Sequence, residues 1–255
     1  MKLVPTMLLA AAACLATLDA SAVECAYKGV DADARVVHES AEMFDPAAWL
    51  SHGQCERLRV ASGQVRVIYR AADGRFVKRT VSQGRLVARG EGVTDSVLGE
   101  IGLMLAGDER VRAGRSRSSS ATFDSVERAL PNGQLVQPDG PLEIAIPVAA
   151  DEIGADFRLT QEGRMVYQAK LSRQALLIPA GTLVAGKSYD WTVSTKQDKA
   201  KGAFTVVSPG SLSSALQDVP AAADPAQDKL EKASALLKAG YAMEARKLLR
   251  EVMAE

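Results

Sequence analysis

Residues 183–193 read LVAGKSYDWTV, and this stretch decides the fold that the sequence predicts. Ala185-Gly186 is a turn signal, after which Tyr189, Trp191 and Val193 alternate with polar residues. Successive side chains of a β-strand point to opposite faces of its sheet. The alternation therefore predicts a strand whose aromatic side chains lie on one buried face.

This strand belongs to a series of short strands between about Leu130 and Val207. Turn signals separate the strands, among them Pro138-Asp139-Gly140 and Glu162-Gly163. About six strands within roughly 80 residues are typical of a small antiparallel sandwich. The apolar residues that mark the strands are Leu142, Ile144 and Ile146; Phe157 and Leu159; Met165, Val166 and Tyr167; Leu176 to Ile178; Tyr189, Trp191 and Val193; and Phe204 and Val206.

The pattern L-x-x-G-x-x-Y-x-W-x-V, formed by Leu183, Gly186, Tyr189, Trp191 and Val193, resembles that of immunoglobulin-like and fibronectin type III-like domains. The resemblance implies an immunoglobulin-like sandwich with alternating aromatic side chains inside it. Such sandwiches are mostly spacers or binding modules, which is the functional class that the resemblance implies.

A second β-unit is predicted from Glu56 onward. Its strands are marked by Leu58 and Val60; by Val65, Val67 and Tyr69; and by Phe76 with Thr80. Asp73-Gly74 favours a tight hairpin turn between two of them, and the strands are predicted to form a β-meander. Thr94 or Asp95 then caps a predicted helix that runs to about Ala106.

Three short segments of this unit resemble the FecR-type β-domain of bacterial envelope proteins. They are Ser62-Gly63-Gln64-Val65-Arg66-Val67, Asp73-Gly74 and Gln83-Gly84. The resemblance implies a β-domain with a sensor role. In this chain, however, the predicted helix takes the place of the second run of strands that the family contains.

The first 22 residues are predicted to be a cleaved signal peptide. Lys2 precedes an apolar run from Leu3 to Leu18, which is too short and too rich in alanine for a stable membrane span, and Ala20-Ser21-Ala22 follows it. Small residues at the first and third places before a cut suit signal peptidase. The mature chain is therefore expected to begin at Val23, in the periplasm or outside the cell. The alternative is a lipidated Cys14 that anchors the chain to a membrane.

Export places Cys25 and Cys55 in an oxidising compartment, where two thiols normally form a disulfide. A bridge between them closes a loop of roughly 30 residues and stabilises the fold by on the order of 3–4 kcal/mol in the chain-entropy model. A redox-active pair is disfavoured because the spacing is not Cys-x-x-Cys. Within the loop, residues 41–50 are predicted to be weakly helical or irregular.

The C-terminal residues 225–255 are predicted to form a helical hairpin. Asp224 caps the first helix, and a second helix follows the turn. Gly240-Tyr241-Ala242-Met243-Glu244-Ala245, followed by Leu248 and Leu249, is similar to the latter part of a tetratricopeptide repeat. A single unit lacks the stacked neighbours of a solenoid, so we expect it to dock on the sandwich or on another chain.

The predicted fold class is thus mainly β, with a C-terminal α-hairpin. The predicted segments are a signal peptide (1–22), an N-terminal disulfide-bridged β-domain with one helix (23–109), a linker (110–129), an immunoglobulin-like β-sandwich (130–209), a second linker (210–224) and the helical hairpin (225–255). The linkers are placed where apolar periodicity gives way to small and polar residues or to alanine, proline and aspartate.

Overall charge argues against nucleic acid as a partner, because 31 Lys and Arg balance 31 Asp and Glu. Aromatic residues make up only 5 % of the chain, which leaves little for the stacking surfaces of typical sugar-binding proteins.

A local excess of positive charge lies within residues 57–89, where the only acid is Asp73. The nine cations of this stretch are Arg57, Arg59, Arg66, Arg70, Arg75, Lys78, Arg79, Arg85 and Arg89. Even spacing places Arg66 and Arg70 on one face of a strand, which predicts a basic sheet surface.

That basic surface suits an acidic protein or an anionic envelope polymer. The alternative is a solvated face that acids elsewhere in the domain neutralise.

The sequence signals for a catalytic or metal site are weak by comparison. His38-Glu39 begins like the helix of a zinc protease, but Glu42 stands where the second histidine would lie, and His52 is more typical of a surface residue.

The sequence therefore predicts a non-catalytic interaction or scaffold protein with a protein partner in the cell envelope and with no cofactor, no metal and no membrane-spanning segment. The residues expected to contact the partner are Arg66, Arg70 and Arg79 on the basic strands, and Ala242, Ala245 and Leu249 on the hairpin. Two alternatives stay open: a domain that binds envelope polysaccharide or another anionic ligand, and a hydrolase that uses paired carboxylates.

Overall fold

The structure, a computed structural model, describes residues 23–88, 90–93, 95–102, 104, 126–146, 154–171, 175–196 and 198–254. The predicted signal peptide lies outside the described residues, as do Arg89 and Thr94. The described fold is mainly β with a C-terminal pair of helices, as the sequence predicts. Over this part of the chain, none of the helices combines the length and the apolar character needed to cross a membrane.

Two antiparallel sheets form the N-terminal unit. Its strands are β1 (Cys25–Gly29), β2 (Arg35–His38), β3 (Met43–Phe44), β4 (Leu50–His52), β5 (Leu58–Ser62), β6 (Val65–Ala71), β7 (Phe76–Val81), β8 (Gly84–Arg85) and β9 (Gly92–Val93). The first sheet has the order β4-β1-β6-β7, with β9 paired to β6, and the second has the order β3-β2-β5-β8. One hydrophobic core, which includes the disulfide, is shared by strands of both sheets.

The predicted disulfide between Cys25 and Cys55 is confirmed. Cys25 begins β1 in the first sheet, and Cys55 lies in a short 3-10 helix that leads into β5 of the second sheet. Both cysteines are at most 1 % exposed. The covalent bond therefore joins the two sheets through the core that they share.

The predicted β-meander is wrong at its first strand. The hairpin at Asp73-Gly74 is confirmed, since β6 and β7 pair from Arg70 and Phe76 outward. In contrast, β5 pairs with β2 and β8 in the second sheet. The physical reason is that β1, which the sequence analysis does not predict, occupies the place beside β6. The stretch 41–50, predicted to be helical or irregular, contains the short strand β3.

Helix α1 comprises residues 96–102 and 104. The Asp95 carboxylate accepts a hydrogen bond from the backbone N–H of Val97 (2.8 Å), which is the expected N-cap contact. Val97, Leu98 and Ile101 are buried on one face of the helix. The predicted helix is therefore confirmed for the described residues, and its predicted continuation to Ala106 lies outside them.

Two sheets also form the sandwich. Its strands are β10 (Gly133–Val136), β11 (Leu142–Ile144), β12 (Asp156–Gln161), β13 (Arg164–Lys170), β14 (Leu176–Ile178), β15 (Ser188–Ser194) and β16 (Lys199–Val207). The larger sheet has the order β10-β16-β15-β12-β13, and β11 pairs with β14 in the smaller one. The side chains between the two sheets form one hydrophobic core. Helix α2, residues 126–129, precedes the strands, and its Val126 is buried in this core.

The stretch 183–193 forms the centre of this sandwich. Tyr189, Trp191 and Val193 on β15 are each at most 1 % exposed. The Tyr189 hydroxyl donates to the carbonyl of Thr182 (3.1 Å) and accepts from the N–H of Val184 (3.0 Å), the contact that tyrosine corners make in β-sandwiches. The predicted alternation of buried and outward residues is confirmed for this strand.

The C-terminal helices are α3 (Pro209–Leu216), α4 (Pro225–Lys238) and α5 (Ala242–Ala254). Asp224 caps α4 as predicted, by accepting the N–H of Ala226 (3.2 Å). Gly240, at φ +84°, turns the chain between α4 and α5, and its carbonyl accepts the N–H of Gln134 on β10 (2.9 Å). Both segments predicted to be linkers contain helical residues: residues 110–129 include α2, and residues 210–224 include most of α3.

The hairpin of α4 and α5 docks within its own chain. Leu230, Ala233 and Leu249 are fully buried in one core with Ile68 and Phe76 of the N-terminal unit. The sandwich contributes partly buried residues of β10 and β16 to the same core. The indole of Trp49 adds a hydrogen bond to the carbonyl of Met253 (2.8 Å) at the end of α5. The hairpin therefore joins the two β-units.

Candidate interaction surfaces

Acids within the N-terminal unit neutralise much of the predicted basic surface. Arg75 pairs with Asp73 at 2.6 Å, and Arg85 pairs with Glu39 at 3.0 Å. Arg59 is exposed, whereas Arg66 is half-buried on β6. The Arg85–Glu39 pair corresponds to the alternative in which acids elsewhere in the domain balance the strand cations.

Arg70 is an internal anchor between β6, α1 and α4. Its guanidinium lies 3.0 Å from the carboxylate of Asp95 and 3.8 Å from that of Glu231. It also donates to the hydroxyl of Ser234 (3.4 Å) and lies 4.7 Å from the centre of the Phe76 ring. The Arg70 side chain is only 16 % exposed, so the structure places it under the hairpin.

Arg79 forms hydrogen bonds to the segment that follows β8, at Leu86 and Glu91. Its two terminal nitrogens each contact a different oxygen of Glu91 at 3.1 Å, and one of them also donates to the carbonyl of Leu86. The N–H of Ala88 and the guanidinium of Arg79 together lower the pKa of the Glu91 carboxyl. The guanidinium also lies 5.2 Å from the centre of the Tyr69 ring. Arg79 is thus already engaged inside its own unit.

The hairpin residues expected at a partner interface lie at different depths. Ala245 and Leu249 are fully buried in the core that joins the hairpin to the β-units. Ala242 is half-buried at the start of α5. Contact with another chain stays a prediction, and Ala242 is the hairpin residue of the three that is still accessible to one.

A different basic surface lies on the larger sheet of the sandwich. We define the outer sheet face as the outward residues Asp156, Arg158 and Thr160 of β12; Gln168 and Lys170 of β13; Asp190, Thr192 and Ser194 of β15; and Lys199 and Lys201 of β16. The four cations on this face are all exposed. Among the described residues, no carboxylate forms an ion pair with any of the four.

Strand register arranges the outer sheet face in rows. One row runs Gln168, Arg158, Thr192, Lys201, and the next runs Lys170, Asp156, Ser194, Lys199. Because neighbouring strands lie about 4.8 Å apart, the backbones of Arg158 and Lys201 are roughly 10 Å apart. Four cations and the two acids Asp156 and Asp190 leave the face with a net charge of +2.

Local sequence patterns do not reveal this face, because its cations are spread from residue 158 to residue 201. Strand pairing brings them together. The neighbouring apolar residues nevertheless indicate which way these cations point. Arg158 lies between the buried Phe157 and Leu159, and Lys201 follows the buried Ala200. Their parity relative to the core residues places both on the outward side of their strands.

A cleft between α5 and the sandwich has three cations and two acids in its lining. Its lining includes Leu135, Leu142, Glu143, Ile144, Met243, Glu244, Arg246, Lys247 and Arg250. Arg246 pairs with Glu100 of α1, and Lys247 pairs with Glu244. With two of its three cations engaged, the cleft offers less to an anion than the outer sheet face does.

His38 and His52 lie close together where β2 and β4 meet, with ring centres 5.6 Å apart. The Nδ1 atoms accept the backbone N–H groups of Ser40 (3.2 Å) and Gln54 (3.0 Å), respectively. A neutral imidazole that accepts at Nδ1 carries its proton on Nε2, which disfavours metal ligation there. Among the described residues, no group of three or more His, Cys, Asp or Glu side chains is arranged to hold a metal ion.

We expect His52 to make the fold sensitive to mild acid. Burial lowers the pKa of His52 below its ordinary 6.5, and His38 lowers it further, against the opposing effect of Glu42 and Glu56. The unfolded chain therefore takes up a proton first as the pH falls through 6.5. Stability is full above that pH and declines below it until the folded protein also protonates.

The measurement is the urea midpoint of the oxidised chain between about pH 7.5 and about pH 5. Titrations common to both proteins cancel when the same series is recorded for His52→Gln, whose side chain is neutral throughout. The variant should lose less stability over this interval than the parent. An equal loss in both proteins would contradict the role given to His52.

Comparison with known proteins adds no relative to this picture. No protein-family model matches the chain, and no curated protein matches it either. Function is therefore inferred from the residues of these surfaces and their geometry.

Proposed function

We propose that this chain is a non-catalytic interaction protein of the cell envelope, exported to the periplasm or beyond, that binds an anionic partner through the outer sheet face. The observation that carries the proposal is the set of four exposed cations on that face, which have no ion-pair partner among the described residues. Exposed like charges on one face attract an oppositely charged partner and guide its approach.

The remaining architecture supports a binding or scaffold role. A buried disulfide is compatible with an oxidising compartment. The hairpin shares one core with the N-terminal unit and with β10 and β16 of the sandwich, which favours a fixed relation between the two β-units. A fixed relation suits a protein that presents a contact surface to its partner.

In-cell photo-cross-linking tests this function. A photoreactive amino acid replaces Thr192 at the centre of the outer sheet face, and a matched one replaces the exposed Lys238 on α4. Irradiation of the native host should give adducts from position 192 and fewer from position 238. Adding Lys170→Glu and Lys199→Glu should weaken the adducts, since repulsion then replaces attraction. Equal yields from the two positions, or an unchanged yield in the charge-reversed protein, would overturn the proposal.

A further inference from the structure

We infer that the anionic partner is an acidic polysaccharide, a sugar polymer that carries carboxylate groups at intervals and lies across the rows of the outer sheet face. This inference rests on the proposed function and names its ligand class. It depends on three features of the face: its polarity, its hydrogen-bonding groups and the sheet edge beside it.

Two adjacent rows of the face are entirely polar. They contain Gln168, Arg158, Thr192 and Lys201 in one row, and Lys170, Asp156, Ser194 and Lys199 in the other. Stable protein interfaces usually centre on buried aromatic or aliphatic anchors. The next row of the sheet holds Thr160, Asp190 and Ala203 and ends at the exposed Met165 on the edge strand β13. The two polar rows therefore fit a hydrated polymer better than a protein surface.

The neutral side chains between the cations suit sugar hydroxyls. Thr192 and Ser194 on β15 are half-buried, and Gln168 on β13 is exposed. Hydroxyl and amide groups both donate and accept hydrogen bonds, as sugar hydroxyls do. Arg158 can hold a carboxylate through two parallel N–H contacts, while Lys201 supplies a point charge in the same row. Charge and hydrogen bonding thus replace the aromatic stacking that the composition makes scarce.

The edge of the sheet is unsuited to an acidic peptide that adds as a strand. The register of β12 and β13 shifts between Leu159 and Thr160, which leaves Val166 as an extra residue on β13. Such a bulge disrupts the edge that an added strand would need, and the exposed charges of Arg164 and Lys170 at the ends of β13 protect it further. An acidic partner is therefore expected on the face of the sheet rather than along its edge.

Binding to defined polymers tests the inference on the full, oxidised chain. The probes are polygalacturonate, poly-L-glutamate and uncharged dextran. The first two carry one carboxylate per unit and differ in backbone. We expect polygalacturonate to bind more tightly than poly-L-glutamate, and dextran not to bind. Raising the salt from 0.1 M to 1 M shortens the Debye length from about 10 Å to about 3 Å and should abolish binding.

Matched charge reversals locate the site. Arg158→Glu with Lys201→Glu should weaken polygalacturonate binding about tenfold or more, since two attractive contacts become repulsive. Lys238→Glu with Arg250→Glu changes the net charge equally at exposed hairpin positions and should leave affinity nearly unchanged. Equal losses in the two variants would overturn the site.

The two proposals fail in distinguishable ways. Equal or tighter binding of poly-L-glutamate would overturn the polysaccharide while leaving the anionic contact surface in place. Failure of polygalacturonate to bind, with cross-links from Thr192 still seen in cells, would have the same meaning. Loss of those cross-links is the result that removes the proposed function itself.

Discussion

The oxidised chain is expected to hold its N-terminal unit about 3.5 kcal/mol more stably than the reduced chain, because the Cys25–Cys55 bond closes a loop of 30 residues. The bond constrains the unfolded chain, and it also ties β1 in one sheet to the start of β5 in the other. Reduction frees both ends of this loop while leaving the other contacts of the folded state available.

Hydrogen exchange provides the measurement, because it reports on each unit separately. Amides of β1 and β6 should exchange faster after reduction, while those of β12 and β15 in the sandwich should change little. The matched control is Cys25→Ala with Cys55→Ala, whose exchange should be indifferent to reductant. A difference below about 1 kcal/mol at β1 and β6 would show that the disulfide is dispensable for this unit.

Truncation of Leu249 should have an effect of similar size on the hairpin. Leu249 is fully buried on α5, in the core that also holds Trp49 and Phe76. Leu249→Ala should lower the free energy of unfolding by about 3 kcal/mol, through lost burial and the cavity left behind. Alanine has the higher helix propensity, so a loss of stability reports on packing rather than on helix formation.

The neighbouring Arg250 supplies the control for this experiment. Arg250 is exposed on the same helix, and Arg250→Ala should change stability by less than about 0.5 kcal/mol. Urea unfolding compares the two variants, and proteolysis of α4 and α5 shows whether the hairpin loosens first. Similar stabilities of the two variants would mean that the hairpin does not depend on the shared core.

Elements with strong local signals were predictable from sequence. The alternation of Tyr189, Trp191 and Val193 identifies β15 because a half-buried strand needs one apolar side chain at every second position. Asp73-Gly74 identifies the β6–β7 hairpin, and Asp224-Pro225 identifies the start of α4, because turns and caps depend on a few adjacent residues. The cysteine pairing follows from there being two cysteines after the predicted leader.

Strands without such signals were missed. The strand β1, residues 25–29, lacks a clear alternation because both of its faces are covered: Tyr27 lies in the core between the sheets and Ala26 lies under the hairpin. Without β1 in place, β5 and β6 looked like neighbours. Which strands pair is a property of contacts between distant residues, which local periodicity does not record.

The candidate site shows the same contrast between features that adjacent residues reveal and features that depend on distant contacts. Arg70 and Arg79 stand out in the sequence because cations are dense around them, yet Asp95, Glu231 and Glu91 neutralise them in the fold. Arg158 and Lys201 attract no notice in the sequence. They become one surface because β15 lies between β12 and β16 and joins them in a single row.

The sequence by itself determined the class of the fold, the sandwich strand at 189–193, the disulfide and the C-terminal pair of helices. Each of these depends on residues close in the chain or on the two cysteines that follow the predicted leader. Only the tertiary structure decided where the hairpin docks and which cations remain exposed. Docking and ion pairing depend on which distant faces meet, and the free energy of burying a face is set by its partner rather than by its own sequence.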